Sequence, residues 1–298
     1  MGPKVKSQPN FLIAGAMRSG TSTLYEMLRQ HPDVFMSPVK EPDYFAFDVV
    51  PPGFLVDGSA PVTSRTEYDA LFADQEGERR VGEASHNYLY YSDTAAPRIH
   101  DDLGQVELIY ILRDPVERAF SHWLFHVLKG REPHADFRSA LAAEDARVRD
   151  GVQFGHYVRR GLYASQLVPF FDRFDRSSLH IFLYEDLSAD PVKLARMVYA
   201  TLEVDDTFTP DTSVRANPSG QPRFQVLNSM LTSSSVVKRA VQPLLPRSLY
   251  RVATRLRDWN LVQPSIEPDL RAQLVEGYRT EVSRLEEMID RDLSAWLK

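Results

Sequence analysis

The segment Phe11 to Leu28, FLIAGAMRSGTSTLYEML, constrains this chain more than any other. Its apolar run, Phe11-Leu12-Ile13-Ala14, reads as a buried strand. A glycine-bounded loop follows, Gly15-Ala16-Met17-Arg18-Ser19-Gly20. Thr21-Ser22-Thr23 then stand where hydroxyls cap an amphipathic helix carrying Leu24, Met27 and Leu28. Such a loop points successive backbone N–H groups inward, and the helix dipole adds partial positive charge. Both favour a bound phosphate-like anion.

Gly15 and Gly20 have the spacing of a nucleotide P-loop, but Thr21 occupies the lysine position and the cation has moved into the loop as Arg18. That lysine reaches the β- and γ-phosphates in ATP and GTP hydrolysis, so its loss argues against an NTPase. An ordinary strand-to-helix turn is the other reading of an isolated loop of this kind. The rest of the chain has to decide.

Bulk properties exclude several classes. With 298 residues, 43% hydrophobic and 26% charged, the chain is a globular protein with room for one large domain or two small ones. A formal net charge of −6 gives no basis for non-specific nucleic-acid binding. The absence of cysteine removes disulfides, thiolate metal sites and cysteine nucleophiles. MGPKVKSQPN holds no signal-peptide apolar stretch, and no window approaches the about 18 apolar residues of a membrane helix. The expectation is a cytoplasmic protein without a transmembrane segment.

Along the chain, Val34-Phe35-Met36 reads as a second strand, followed by the proline-bounded loop Ser37-Pro38-Val39-Lys40-Glu41-Pro42-Asp43. Residues 48–80 read as a surface excursion with a short helix near Thr66 to Phe72. Val106 to Leu112 is an almost continuous apolar strand ending at Arg113, and Asp114-Pro115 suits the start of a helix through Ser121 to Leu128. Helices are expected over Phe137–Asp150, Tyr163–Phe174, Pro191–Leu202 and Glu267–Leu297, and a strand over Leu179–Tyr184. This alternation predicts an α/β fold, a parallel sheet flanked by helices in a single domain over 1–298. Residues 224–260 read as a helical appendage, basic at Lys238, Arg239, Arg247, Arg251, Arg255 and Arg257. Its bland reading is a solvated face; the sharper one is a surface for an anionic acceptor or a membrane.

Two anion sites now stand out. Arg18-Ser19-Gly20-Thr21-Ser22 can hold one phosphate-like group, and Arg113 with Ser121 can hold a second. A buried strand that ends on arginine wants an anion, because an unpaired guanidinium there is costly.

At these residues the sequence resembles the sulfotransferases that use 3′-phosphoadenosine 5′-phosphosulfate (PAPS). The first loop is similar to that family's 5′-phosphosulfate loop, and ILRDPVERAFSHW to its 3′-phosphate motif. Gly82-Glu83-Ala84-Ser85, Arg160-Gly161-Leu162-Tyr163, Tyr184-Glu185-Asp186-Leu187 and the stretch Asp290 to Trp296 extend the resemblance over all but roughly 224–260. HPDVFMSPVKEPDYF most resembles the carbohydrate branch, that of heparan sulfate and bacterial O-sulfotransferases.

The resemblance implies in-line sulfuryl transfer to a hydroxyl of a glycan or small metabolite, releasing adenosine 3′,5′-bisphosphate and requiring no metal. It makes Glu41 the general base, Arg18 the stand-in for the family lysine, and Arg18, Ser19, Gly20, Thr21 and Ser22 the sulfate-side contacts. Arg113 and Ser121 become 3′-phosphate ligands, with Arg223 a further contact from a late Gly/basic loop. His86 is a candidate second acid–base group at the acceptor, though a lone histidine beside a tyrosine run is more often structural. Heparan-modifying members carry lysine where this chain has Ala84, so one acceptor contact of that branch is missing. The rival readings are a P-loop kinase or NTPase and a nucleotide-binding module without chemistry.

Overall fold

The computed structural model describes residues 8–51, 54, 60–212, 221–222, 261–262 and 264–298. Strand β1, Phe11–Gly15, is buried at every residue and lies at the centre of a five-stranded parallel sheet. Strand β2 (Val34–Met36) and β3 (Arg80–Ala84) lie to one side of it, β4 (Glu107–Leu112) and β5 (Leu179–Leu183) to the other, in the order β2-β3-β1-β4-β5. Helices cover both faces, which is why the central strands read as near-continuous apolar runs rather than alternating ones.

Alternation along the strands still sorts side chains between two cores. Phe11, Ile13, Ile109 and Ile111 pack with Leu24 and Leu28 of α1 (Thr21–Leu28) and with Leu194 and Val198 of α10 (Pro191–Thr201). Leu12, Ala14, Leu108 and Tyr110 face the other way, toward α4 (Ser92–Leu103), α8 (Tyr163–Phe171) and the closing helix α11 (Pro268–Ile289). On α11, Leu270, Val275, Tyr278, Val282, Leu285 and Ile289 are buried on one stripe, with Leu274 half-buried beside them.

Between β1 and β2 the chain runs out to one edge, and after β3 it crosses to the opposite side to form β4. In such sheets ligands bind beyond the carboxyl ends of the strands, where the order reverses. Here those ends are the Gly15–Gly20 loop, the segment after Ala84, and Arg113.

Several boundaries differ from the sequence expectation. Gly20, not a hydroxyl of Thr21-Ser22-Thr23, caps α1, in left-handed backbone at φ 97° and without a side-chain cap. Residues 137–150 form two helices, α6 (Phe137–Ala142) and α7 (Glu144–Arg149), broken at Ala143. The break serves a buried carboxylate: Glu144 accepts the N–H groups of Val158 at 2.7 Å and Arg159 at 2.8 Å. The closing helix stops at Ile289 because Asp290 turns left-handed, at φ 52°. Helix α4 has no counterpart in the sequence reading. The start of α5 (Pro115–Leu128) is as expected: Asp114 accepts the N–H of Val116 at 2.8 Å, and Pro115 occupies the first turn.

Arg223 and the basic stretch from Lys238 to Arg257 lie outside the described residues. Gln221–Pro222 pairs with Leu261–Val262 in a short antiparallel ladder. No helix among the described residues is long and apolar enough to cross a membrane.

Candidate active site

Three strand ends assemble the site, and sheet register decides what meets what. Ile13 pairs with Ala84, so the loop leaving β1 lies beside the segment leaving β3. On the other side, the N–H of Ala16 donates to the carbonyl of Ile111 at 2.9 Å, joining the same loop to the end of β4.

The β1 loop turns through two left-handed residues, Arg18 at φ 65° and Gly20 at φ 97°. A Cβ on Gly20 would lie 2.4 Å from Leu187 Cδ2, so that side chain would have to shift, and the left-handed backbone itself favours glycine. Thr21 begins α1 there, and the first N–H groups of a helix have no intrahelical acceptor. Ser19 and Thr21 are buried, Ser22 half-buried.

Arg18 does not stay over its own loop. Its Nε donates to Ser121 Oγ on α5 at 3.3 Å, and its guanidinium lies 4.8 Å from the centre of the Phe125 ring. From β4, Arg113 Nη1 donates to the carbonyl of Arg18 at 3.4 Å, and the Arg113 guanidinium stacks 4.6 Å above the Tyr184 ring. The Tyr163 hydroxyl donates to the carbonyl of Arg113 at 3.0 Å, holding the strand end. The two loops inferred separately from the sequence thus form one wall carrying two guanidinium groups and a serine. Beside it, a cleft of about 420 Å³ has Arg113, Asp114, Glu117, Tyr184, Glu185 and Ser188 on its walls. Tyr184 was visible only as part of a motif; its place under Arg113 needs the fold.

Glu41 and His86 meet at the end of β3. The N–H of Glu41 donates to the carbonyl of Ala84 at 2.9 Å, with Glu41 itself left-handed at φ 62°. Its Oε1 contacts both the Lys40 ammonium and His86 Nδ1, the latter at 3.1 Å. Burial favours the neutral acid, but the imidazole and the ammonium outweigh it and hold the carboxyl well below the usual carboxylate range. Burial pushes His86 down, against the pull of Glu41, so the ring favours its neutral form.

Two further acids, neither singled out from the sequence, stand behind this pair. Asp43 is buried, with Oδ2 accepting from Asn87 at 2.8 Å and Asn87 accepting in turn from Arg160 at 3.0 Å. Burial, with the charges of Glu41 and Glu83, pushes the Asp43 carboxyl well up. Glu83 is fully buried and accepts hydroxyls from Tyr88, from Ser85 at 2.9 Å and from Tyr68 at 3.4 Å. Burial dominates those hydrogen bonds and raises it to about 7. The cluster therefore favours an ionised Glu41 while its neighbours lean toward neutrality, a separation of acids of the kind that acid–base chemistry uses.

Comparison with known proteins agrees with this geometry. The sulfotransferase-domain family profile matches residues 8–217. A sulfotransferase crystal structure from Alicyclobacillus acidocaldarius superposes with a TM-score of 0.76 at 32% identity, covering 98% of this chain and 100% of that one. Membrane-associated sulfotransferase kil1 of Dictyostelium discoideum is 32% identical over 157 residues, 51% of this chain and 31% of its own. Carbohydrate sulfotransferase 15 of Mus musculus is 28% identical over 201 residues, 55% of this chain and 35% of its own. The matches thus span only about a third of the length of these two relatives. With its parallel sheet and a family match over most of its length, this chain belongs to the sulfotransferase family.

Proposed function

We propose that the chain transfers a sulfuryl group from PAPS to a hydroxyl of a sugar or small-metabolite acceptor. The observation that carries this reading is the pairing, across the Ile13–Ala84 register, of a wall carrying two arginines and a serine with the half-buried Glu41 carboxylate, which His86 and Lys40 contact.

In that reaction the acceptor oxygen bonds to sulfur as the bond from sulfur to the bridging phosphate oxygen breaks. The electron pair leaves with adenosine 3′,5′-bisphosphate, and Glu41 takes the hydroxyl proton. Negative charge grows on the bridging oxygen, so donors at that end count most: the first N–H groups of α1, Thr21 and Ser22. Arg18 is assigned to the same end on the resemblance alone, since its guanidinium here turns toward Ser121 and Phe125. Arg18 keeps the charge of a lysine but cannot serve as a proton donor.

Arg113 and Ser121 are assigned to the 3′-phosphate. In the adjoining cleft Arg271 pairs with Asp114 and Glu117, and Glu185 adds a further carboxylate, so the cleft has no excess positive charge for a phosphate and suits the nucleoside instead. The phosphate then belongs on the Arg18–Ser121 side of Arg113. Arg223 remains assigned as a further 3′-phosphate contact on the resemblance alone.

The test is thermal stabilisation by adenosine 3′,5′-bisphosphate, compared with Mg-ATP and adenosine 5′-phosphate, on wild type and Arg113→Ala. A ligand that binds only the folded state raises its apparent stability. Selective stabilisation by the bisphosphate, with affinity about 10- to 100-fold weaker in Arg113→Ala, is expected for a lost charge-assisted hydrogen bond. A preference for Mg-ATP would overturn the reading in favour of a kinase or NTPase.

A further inference from the structure

Glu41 and Lys40 are consecutive residues, and consecutive side chains in an extended chain diverge. Here the left-handed backbone at Glu41 brings both to one point, the Lys40 ammonium lying against Glu41 Oε1. The backbone is pinned from the other side by the hydrogen bond to the Ala84 carbonyl. Neither side chain is a free surface group: they are 25% and 15% exposed.

The surroundings make this ammonium matter. From its own loop Glu41 feels Asp43; from the segment after β3 it meets His86. Lys40 also acts on Glu83 of β3, and Arg160, from the segment before α8, acts on Asp43 and His86. Among the described residues, both charged contacts of the Glu41 carboxylate fall on Oε1, and only Lys40 brings a permanent positive charge to it. Arg18 is engaged at Ser121 and Phe125.

We propose that Lys40 is a positioning residue for sulfuryl transfer: its ammonium holds Glu41 ionised by one oxygen and leaves the other to take the acceptor hydroxyl proton. Without it the carboxylate keeps only the His86 imidazole to offset its burial, beside Asp43 and Glu83. It then takes up a proton at a higher pH, and a protonated carboxyl cannot accept the proton of the acceptor hydroxyl. An exposed ion pair of this kind contributes little; an enclosed one governs the protonation of its acid.

The inference rests on the proposed function, and the test separates the two. Bisphosphate stabilisation of wild type is measured first; its absence overturns the sulfotransferase reading itself. The Glu41 carboxyl is then titrated by carbon-13 NMR in glutamate-labelled wild type, Lys40→Met and Lys40→Arg, with Glu41→Gln identifying its signal. The Lys40→Met midpoint is expected to rise by at least about one pH unit, with Lys40→Arg close to wild type and bisphosphate stabilisation unchanged in both. With a phenol or monosaccharide acceptor found by screening, the acidic limb of kcat/KM should move up by the same interval. Below the new limb, kcat should fall about tenfold per pH unit. An unmoved Glu41 midpoint or an unmoved limb overturns the role of Lys40. Loss of bisphosphate stabilisation in Lys40→Met also overturns it, by making Lys40 a nucleotide ligand.

Discussion

The anion wall and the acid cluster touch across a single strand pair, yet they are built by opposite means. The wall uses short contiguous segments: the β1 loop, the end of β4 and the first two turns of α5, with half-exposed cations and backbone donors. The cluster uses long-range contacts between side chains removed from water. Glu41 meets His86, Asp43 meets Asn87, and Asn87 meets Arg160. Holding a phosphate or sulfate needs charge and N–H groups in the right place, which a loop and a helix start supply locally. Moving a proton needs an acid with a chosen protonation state, which only an environment supplies.

Substituting Glu41, the proposed base, separates the two regions most sharply. Glu41→Gln keeps the shape of the side chain and removes its proton affinity. Turnover should fall about 10²- to 10⁴-fold while bisphosphate stabilisation stays at the wild-type value. Steady-state rates and thermal shifts on the same preparation check this. A variant that loses ligand binding together with turnover would show that cluster and wall are one unit.

The reverse separation comes from Gly20→Ala. The new Cβ would meet Leu187 Cδ2 at 2.4 Å, and φ at this position is 97°. Strain of this kind costs about 1–3 kcal/mol. Bisphosphate binding should weaken, while the Glu41 titration stays in place. Adding Leu187→Ala removes the clash but not the backbone strain, so the double variant should recover only part of the lost binding. Full recovery would mean that the left-handed backbone contributes nothing to the loop.

This contrast also explains what was legible in the sequence. FLIAGAMRSGTSTLYEML and ELIYILRDP carry their structural meaning locally, so the central strands, the loops that follow them and the Asp114-Pro115 helix start are legible from the residues alone. Glu41 was found only through resemblance to a family, because nothing local distinguishes Lys40-Glu41 from a surface ion pair. The pairing with His86, the burial of Asp43 and the hydroxyls gathered on Glu83 all depend on strand order. The helix break at Ala143 was missed for the same reason: what turns Glu144 inward is a pair of N–H groups on residues 158 and 159. Arg18 was legible as the loop cation, but its reach to Ser121 was not.

The most gradual expected effect, spread over a pH window, concerns Glu83, and it tests whether the cluster is set by burial. Its carboxyl is fully buried and raised from an ordinary 4.5 to about 7. Below pH 4.5 both folded and unfolded chains hold the proton, and the group adds no pH dependence. Between 4.5 and about 7 the folded state binds more protons than the unfolded one, so stability falls as pH rises, and above 7 the loss is complete. A shift of this size corresponds to a loss on the order of 3 kcal/mol across that window. Glu83→Gln removes the titration. The gap in unfolding free energy between wild type and variant, followed by urea denaturation from pH 4.5 to 7.5, should therefore close in wild type's disfavour as pH rises. A constant gap would mean that the hydroxyls of Tyr68, Tyr88 and Ser85 stabilise the carboxylate enough to offset its burial. Charge in the cluster would then be shared with Glu41 rather than confined to it, and the division of labour between cluster and wall would have to be drawn at the hydroxyls instead of at the base.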